Sequence, residues 1–391
     1  MHDRQSVLIR INGRDRTGVT AGLMDELDRV GASVQDVQQI VIRGHLSLGV
    51  VVEVDGGSGS LGGVLAYGES IDMQVDLESV SAASTPSVPG LLVTVLGPNV
   101  TPVEFAAVAR AIAASGSNIH RIVRLAKYPV MSYQFVVRTH EEASLRRELL
   151  SVGAALPDVD IAVQREGLRQ RAKRLVVFDV DSTLIQDEVI DLLAAEAGRL
   201  AEVQAITESA MAGELDFEAS LRARVKMLAG LDADEAVERA WAKATMTPGA
   251  ATCVRTLRRL GYVVAAVSGG FTVFTDRLRD ELGLDAAYAN QLEVVDGVLT
   301  GEVCGEIVDR ERKADLLVSI AAENGVPIEQ TVAVGDGAND LAMLDAAGLG
   351  VAFNAKPVVE AAADTALNVP YLDAVLFMLG ISREEIEQAD Q

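Results

Sequence analysis

Hydrophobic and polar positions divide the chain into two regimes that meet near residue 165. In the first, Val7-Leu8-Ile9-Arg10-Ile11 reads as a strand, and Thr20 to Val30 as an amphipathic helix with Leu23, Leu27 and Val30 at helical spacing. Gly31 stands where a helix stop belongs, and strands follow over Val34–Ile42 and Leu46–Val54. A displacement of 85 residues lays Val7–Ile11 on Leu92-Val93-Thr94-Val95-Leu96, and Gly31-Ala32-Ser33-Val34 on Gly116-Ser117-Asn118-Ile119. The second copy's later strands are then Asn118–Ala126 and Val130–Arg138. Each copy has the order of a ferredoxin-like βαββαβ unit, so two tandem α+β modules are expected.

From Leu175 onward the alternation changes. Short apolar strands, Leu175–Val180, Val263–Val267 and Val332–Val334, are separated by long helical stretches. That is the signature of an α/β domain with a doubly wound parallel sheet. Roughly 80 residues separate the first two strands, far more than one crossover helix needs, and Ile185 to Trp241 is helical in pattern. A helical cap at about 185–245 is expected there. Ser79–Pro89, rich in Ser, Ala and Pro, reads as a linker, and the charged run from Gln164 to Arg174 as a second junction. The expected domains are therefore 1–80, 90–165 and 174–391.

Composition narrows the partners. Acidic residues outnumber basic ones 57 to 34, for a net charge of −23. That excess argues against nucleic acid or an anionic membrane, because phosphate groups are held by Lys and Arg. With 49% apolar and 23% charged residues the chain is not a disordered one. Two cysteines, Cys253 and Cys304, leave no disulfide framework and suit a reducing cytoplasm. The polar start Met1-His2-Asp3-Arg4-Gln5 lacks a signal-peptide core, and no apolar run nears the ~18–20 residues of a membrane span. A cytoplasmic, multi-domain protein is expected.

Several signals fail on inspection. Gly57-Ser58-Gly59-Ser60-Leu61-Gly62 has dinucleotide-site spacing, but Gly63 and Gly68 interrupt the helix such a site requires, so a flexible loop is expected. No Gly-Lys dipeptide and no GxSxG elbow occurs. Asp179-x-Asp181 begins like a calcium loop, then places Thr183 and Leu184 where Asp or Asn and Gly belong. The four histidines, His2, His45, His120 and His140, all lie outside the C-terminal half. A metal held there would take oxygen ligands, which favours magnesium over zinc.

The chemistry gathers at strand ends. Leu175-Val176-Val177-Phe178-Asp179-Val180-Asp181-Ser182-Thr183 delivers two aspartates at the C-terminal end of a buried strand, where open parallel sheets place their ligand crevice. Neither ionises cheaply beside the other without a cation. A second strand ends in Ser268-Gly269-Gly270, an unencumbered hydroxyl and backbone N–H groups suited to phosphate oxygens. Lys313 stands on a helix in Arg310-Glu311-Arg312-Lys313-Ala314-Asp315, and a third strand leads into Gly335-Asp336-Gly337-Ala338-Asn339-Asp340.

Taken together, over roughly residues 174 to 380, these four motifs resemble the haloacid dehalogenase superfamily of phosphotransferases. The resemblance implies Asp179 as a nucleophile forming an aspartyl-phosphate, Asp181 as general acid and then base, and Thr183 as a residue orienting the strand-end loop. It implies Mg2+ held by a carboxylate oxygen of Asp179, the backbone carbonyl of Asp181 and the carboxylate of Asp336. Ser268, Gly269 and Lys313 would hold the phosphoryl oxygens, with Asp340 behind them.

In the cap, Phe217, Leu221, Arg224 and Leu228 fall on one helical stripe. An arginine there either meets an anionic partner, snorkels to the helix edge or pairs with a structural acid. Asp179 to Glu188, Met211-Ala212-Gly213-Glu214-Leu215-Asp216-Phe217 and Ser220-Leu221-Arg222-Ala223-Arg224-Val225 are similar to the phosphoserine phosphatase branch of that superfamily. By that resemblance Glu188 receives a substrate ammonium and Arg224 its carboxylate. Met211 and Phe217 form an apolar lid over the phosphoserine methylene, and Asn339 adds a polar contact. The implied reaction converts O-phospho-L-serine to L-serine and phosphate, the last step of serine biosynthesis.

The N-terminal modules resemble ACT domains, which bind amino acids and commonly pair edge to edge. A homodimer and feedback by L-serine are therefore expected. Asn12-Gly13-Arg14-Asp15-Arg16-Thr17-Gly18 can present backbone N–H groups to a carboxylate at a strand-to-helix turn, which makes Asn12, Asp15 and Gly18 the candidate regulatory site. The second copy has Gly97-Pro98-Asn99-Val100-Thr101-Pro102-Val103 at that offset and lacks the Asp-Arg-x-Gly run. The alternative for these modules is a pure dimerisation platform. For the C-terminal domain the alternatives are the same chemistry on another small phosphate or a phosphoprotein, and a non-catalytic amino-acid sensor.

Overall fold

The computed structural model describes residues 4–81, 90–166, 172–211 and 216–389. Residues 82–89 of the expected linker, 167–171 of the second junction and 212–215 of the cap lie outside the described residues, as does the side chain of Met211. The chain divides into two compact units, Met1–Ser87 and Val88–Gln391.

The first unit contains β1 (Arg4–Arg14), α1 (Val19–Arg29), β2 (Ser33–Ile42), β3 (His45–Asp55), α2 (Gly62–Ser70) and β4 (Gln74–Val80). Its antiparallel sheet has the order β2-β3-β1-β4. Val7, Ile9 and Ile11 alternate onto the helix side and pack with Val19, Leu23 and Leu27. Two expectations are corrected here. Strand β4 continues through Ser79 and Val80, which pair with Val7 and Ser6, so the linker starts later. The expected loop at Gly57–Gly62 is a short 3-10 turn, Gly57–Ser60, leading into α2. The glycines serve close packing there: a Cβ at Gly68 would collide with Val75 of β4, and one at Gly63 would lie 2.8 Å from Glu26 of α1.

The second unit opens with the repeat: β5 (Gly90–Gly97), α3 (Pro102–Ala114), β6 (Asn118–Ala126), β7 (Met131–Arg138), α4 (Glu142–Ala155) and β8 (Asp160–Arg165), with sheet order β6-β7-β5-β8. Its core-facing strand residues are Leu91, Val93 and Val95. They match Val7, Ile9 and Ile11 at a displacement of 91 − 7 = 84, so the expected displacement of 85 is one residue out in this strand. A slip of one residue sends every side chain to the opposite face. The slip escapes notice because β5 is buried on both faces: Leu92, Thr94 and Leu96 are buried too. Leu96 and Ala162 belong to the same hydrophobic cluster as Leu372, Val375, Leu376 and Phe377 near the C-terminus. Gln164 Nε2 donates to the Met378 carbonyl at 2.9 Å, and Asp160 accepts from both the backbone and the side-chain N–H of Asn368.

The rest of the unit is built on seven strands: β9 (Leu175–Phe178), β10 (Val263–Phe271), β11 (Ala286–Val295), β12 (Val298–Cys304), β13 (Thr331–Gly335), β14 (Gly350–Phe353) and β15 (Thr365–Leu367). They lie in the order β12-β11-β10-β9-β13-β14-β15, parallel except for β12. Helices α5 (Val189–Glu196), α6 (Leu200–Met211), α7 (Phe217–Lys226) and α8 (Ala233–Trp241) form the insert after β9. Then follow α9 (Ala250–Arg259), α10 (Thr272–Leu282), α11 (Arg310–Glu323), α12 (Leu341–Ala346), α13 (Pro357–Glu360), α14 (Val375–Met378) and α15 (Arg383–Ala389). No described helix is long and apolar enough to cross a membrane.

The insert is tied to the sheet at two places. At the root, Gln186 N–H donates to Thr245 O at 2.9 Å and Thr247 N–H to Leu184 O at 3.0 Å. At the far side the β11–β12 hairpin grips the α7–α8 connection: Gly230 N–H donates to Leu299 O and Leu299 N–H to Leu231 O, at 2.9 and 2.8 Å. Gly301 is required by this grip, since it sits at φ 87° and a Cβ would come 2.9 Å from that of Ala229.

The buried outer face of β5 makes a prediction of opposite signs. Thr94 Oγ1 is buried with no hydrogen-bond partner among the described residues. Thr94→Val keeps the shape and removes the orphan hydroxyl, so it should raise stability by about 1 kcal/mol. Leu96→Ala, two residues along on the same face, should cost about 2–5 kcal/mol. Urea unfolding of the full chain measures both; a destabilised Thr94→Val would show that the hydroxyl is satisfied.

Candidate active site

Backbone register places the first carboxylate. Strand β9 lies between β10 and β13, and Asp179 N–H donates to Val334 O at 2.8 Å, which sets it beside the Gly335-Asp336 turn. Val180–Leu184 then coils into an irregular turn closed by Ile185 N–H to Val180 O at 3.0 Å. The turn needs Ser182 in the left-handed region at φ 57°, an unfavourable conformation of the kind that clusters at functional sites. In return Asp179 and Asp181 both line one cavity. Asp181 is fixed by Val189 N–H at 2.7 Å and by Ser268 Oγ at 3.0 Å.

Lys313 is the centre of charge. It sits in the first turn of α11, and its Nζ donates to Asp179 Oδ1 and Asp340 Oδ1, both at 2.7 Å. All three side chains are almost wholly buried. Burial works against the ammonium, but the two carboxylates outweigh it and hold the Lys313 pKa above its ordinary value. Asp179 is pushed well above the carboxylate range by burial and by Asp340, with Lys313 opposing. Burial also raises Asp181, against the hydrogen bonds from Val189 and Ser268. Asp336 is raised to about 7, by burial and then by Asp340.

The cavity, about 660 Å³, is of the size that holds small metabolites. Asp179, Asp181, Gly269, Gly270, Asp336 and Asn339 form its floor, and Glu188, Phe217 and Arg224 its cap side. Glu188 precedes α5, accepts from Ser182 Oγ at 3.1 Å and is raised to about 7 by burial and by Asp181. Arg224, on α7, donates from Nε to Ser220 O at 3.4 Å and makes no ion pair among the described residues. Its guanidinium is therefore neither snorkelled away nor tied to a structural acid. Burial lowers its pKa while Glu188 and Asp191 oppose this.

Asp179 and Asp336, whose charged forms are disfavoured by burial, lie beside Asp340 and make a setting for a cation. Carboxylate oxygens of Asp179, Asp336 and Asp340 lie within 4.8 Å of one another. An all-oxygen donor set fits a hard divalent ion. Both oxygens of Asp340 are already engaged, by Lys313 and by Gly337 N–H at 2.9 Å, whereas among the described residues the one side chain that bonds Asp336 is Thr183, through a long 3.4 Å contact. Asp179 and Asp336 are thus better placed as ligands, with Asp340 as the fixed counter-charge of Lys313.

The structure brings Asp179, Asp181, Glu188, Phe217, Arg224, Gly269, Asp336 and Asn339 to one cavity, with Thr183, Ser268, Lys313 and Asp340 packed beneath. One expectation is corrected: the Ser268 hydroxyl is not unencumbered, since it is fully buried, donates to Asp181 and accepts from Gly270 N–H at 2.7 Å. The side chain of Met211 lies outside the described residues. In the first unit Asn12 falls inside β1, where its Oδ1 accepts from Ser47 Oγ, while Gly18 starts α1 at φ 90°. Sequence reasoning missed Asp191 and Lys356, which also line the cavity and carry no local pattern.

Comparison with known proteins agrees with this geometry. A haloacid dehalogenase-like hydrolase family model matches residues 176–345, and ACT domain models match residues 5–76 and 91–164. The phosphoserine phosphatase of Streptomyces coelicolor is 56% identical over 392 residues, covering 99% of this chain and 95% of that one. Phosphoserine phosphatase SerB2 of Mycobacterium tuberculosis is 48% identical and covers 100% of this chain and 97% of its own. A solved phospho-aspartyl intermediate analogue of phosphoserine phosphatase superposes with a TM-score of 0.50 at 46% identity, over 52% of this chain and 98% of that one.

The raised acids predict how cation binding depends on pH. With Asp336 titrating at about 7, a proton must leave before a divalent ion binds below that pH. Titration with Mg2+ should show affinity rising from pH 5.5 to 7 by up to about tenfold per unit for each proton displaced, then levelling. Equal affinity across that range would show that no proton leaves Asp336 when the ion binds there.

Proposed function

From the premise that this chain belongs to the phosphoserine phosphatase family of haloacid dehalogenase-like hydrolases, we propose that it hydrolyses O-phospho-L-serine to L-serine and phosphate. One observation carries the reading: a single cavity has Asp179 on its floor, with Lys313 bonded to it from beneath, and on its cap side one acid and one base, Glu188 and Arg224, of the signs that complement the two charges of an amino acid. Arg224 suits a carboxylate because its fork can bind it bidentately.

Asp179 attacks phosphorus as the bond to the serine oxygen breaks, and Asp181 gives that oxygen its proton. Burial favours the protonated Asp181 that this step needs. A water then attacks the aspartyl-phosphate, Asp181 takes its proton back, and Asp179 is released with inorganic phosphate. Lys313 and the Gly269 amide neutralise and orient the phosphoryl oxygens, and Ser268 exchanges its Asp181 partner for one of them. Thr183 steadies the strand-end turn. Asp179, the Asp181 carbonyl and Asp336 would hold Mg2+, which would supply the charge neutralisation that a carboxylate attacking a dianion requires. Phe217 and Met211 close over the methylene, and Asn339 adds a polar contact.

The same reading makes the chain the last enzyme of serine biosynthesis, working in the cytoplasm, with domains at 1–80, 90–165 and 174–391 and the cap at about 185–245. L-Serine is proposed as a regulatory ligand at Asn12, Asp15 and Gly18. A homodimer is proposed through the module edges, where β2, the edge strand of its sheet, leaves Val37, Ile40 and Ile42 exposed.

Phosphate release from L-phosphoserine with and without Mg2+, using Asp179→Asn as the blank, tests the chemistry. Arg224→Ala should lower kcat/KM for phosphoserine on the order of 100-fold, the worth of a charged hydrogen-bonded pair, and largely spare p-nitrophenyl phosphate. Equal loss on both substrates would overturn the carboxylate assignment.

A further inference from the structure

Strand β10 breaks its ladder where it meets the cavity. Its pairing with β11 runs to Val267 opposite Tyr288, then resumes only at Phe271 opposite Asn290. The intervening Ser268-Gly269-Gly270 bulges out of register, and Gly269 and Gly270 turn their backbone to the cavity. A bulge of this kind strands backbone groups that the ladder would have paired.

Asn290 takes up the stranded carbonyl. The residue is fully buried, and its Nδ2 donates to Gly269 O at 2.9 Å while its Oδ1 accepts from Val308 N–H at 2.8 Å. A carbonyl only accepts and a backbone N–H only donates, so the partners fix which end of the amide is which. Val308 lies immediately before Asp309, which caps α11 by accepting from Arg312 N–H and whose carbonyl receives Lys313 N–H at 3.0 Å. One buried amide thus joins the turn that presents Gly269 to the helix that presents Lys313.

We propose that Asn290 is a positioning residue for the phosphoryl group: it holds the Gly269 turn and the start of α11 at a fixed separation, so that the two phosphate-holding arms converge. This rests on the proposed roles of Gly269 and Lys313. Asn290 touches neither substrate nor reacting atoms, and its effect is confined to the end of the ligand that every phosphate ester shares.

Asn290→Asp tests it, because the shape is kept while the donor toward Gly269 O becomes an acceptor. The inhibition constant of inorganic phosphate, and KM for phosphoserine and p-nitrophenyl phosphate, are measured beside the thermal midpoint. Expected is a loss of phosphate affinity on the order of tenfold, with KM raised by a similar factor for both esters. At lower pH the introduced carboxyl regains a proton to donate, so the ratio to wild type should close. Asn290→Ser, smaller but still a donor, is measured in the same way should the first variant not fold. Unchanged phosphate affinity with a lowered midpoint would overturn the proposal, leaving Asn290 a brace of the core. A loss confined to phosphoserine would overturn it too, placing the effect on the cap side. Should wild type fail on phosphoserine yet bind phosphate, the substrate assignment falls while the ratio between variant and wild type still decides the role of Asn290.

Discussion

The contact on which this site depends is the buried ammonium of Lys313 between Asp179 and Asp340. A lysine excluded from water is tolerated only when anions replace the lost hydration, and two carboxylates at 2.7 Å do so here. The exchange is mutual, because Asp179 and Asp340 would repel each other in the same buried space without it. One positive charge set against two negative ones leaves the cluster short of positive charge, and Asp336 deepens that imbalance. Attraction for a cation follows from that incomplete compensation, and a phosphoryl dianion would be welcome only once such a cation offsets the excess of negative charge.

Around that centre the fold supplies rigid placement. Asp179 is set by the register of β9 on β13, and Asp181 by the coiled turn that follows. The Gly269 amide comes from a bulge in β10, Lys313 from the first turn of α11, and Arg224 from a helix whose far end is gripped by the β11–β12 hairpin. Strand ends and helix starts converge on the carboxyl edge of the sheet, as parallel α/β sheets require.

Much of this was legible because three of the four motifs follow a wholly apolar strand. Leu175–Phe178 and Val332–Val334 mark two neighbouring interior strands of the sheet in the sequence itself, so Asp179, Asp181, Asp336 and Asp340 could be placed from sequence alone. What stayed hidden has physical reasons. The register of β5 was ambiguous because burial on two sides erases the alternation that tells inside from outside. Helix α2 was obscured because Gly63 and Gly68, read locally as breakers, answer to neighbours far along the chain. The state of the Ser268 hydroxyl and the role of Asn290 depend on partners 87 and 21 residues away, which no local pattern records.

The doubly buried strand also has a mechanical meaning. Between β5 and the C-terminal helices there is no solvent layer: Leu96 and Ala162 continue directly into the packing of Leu372, Val375 and Phe377. Close-packed interiors are stiff and pass strain on rather than absorb it. The second repeat is therefore less an appendage than a wall of the C-terminal domain, and a displacement of its sheet is a displacement of that domain's own core.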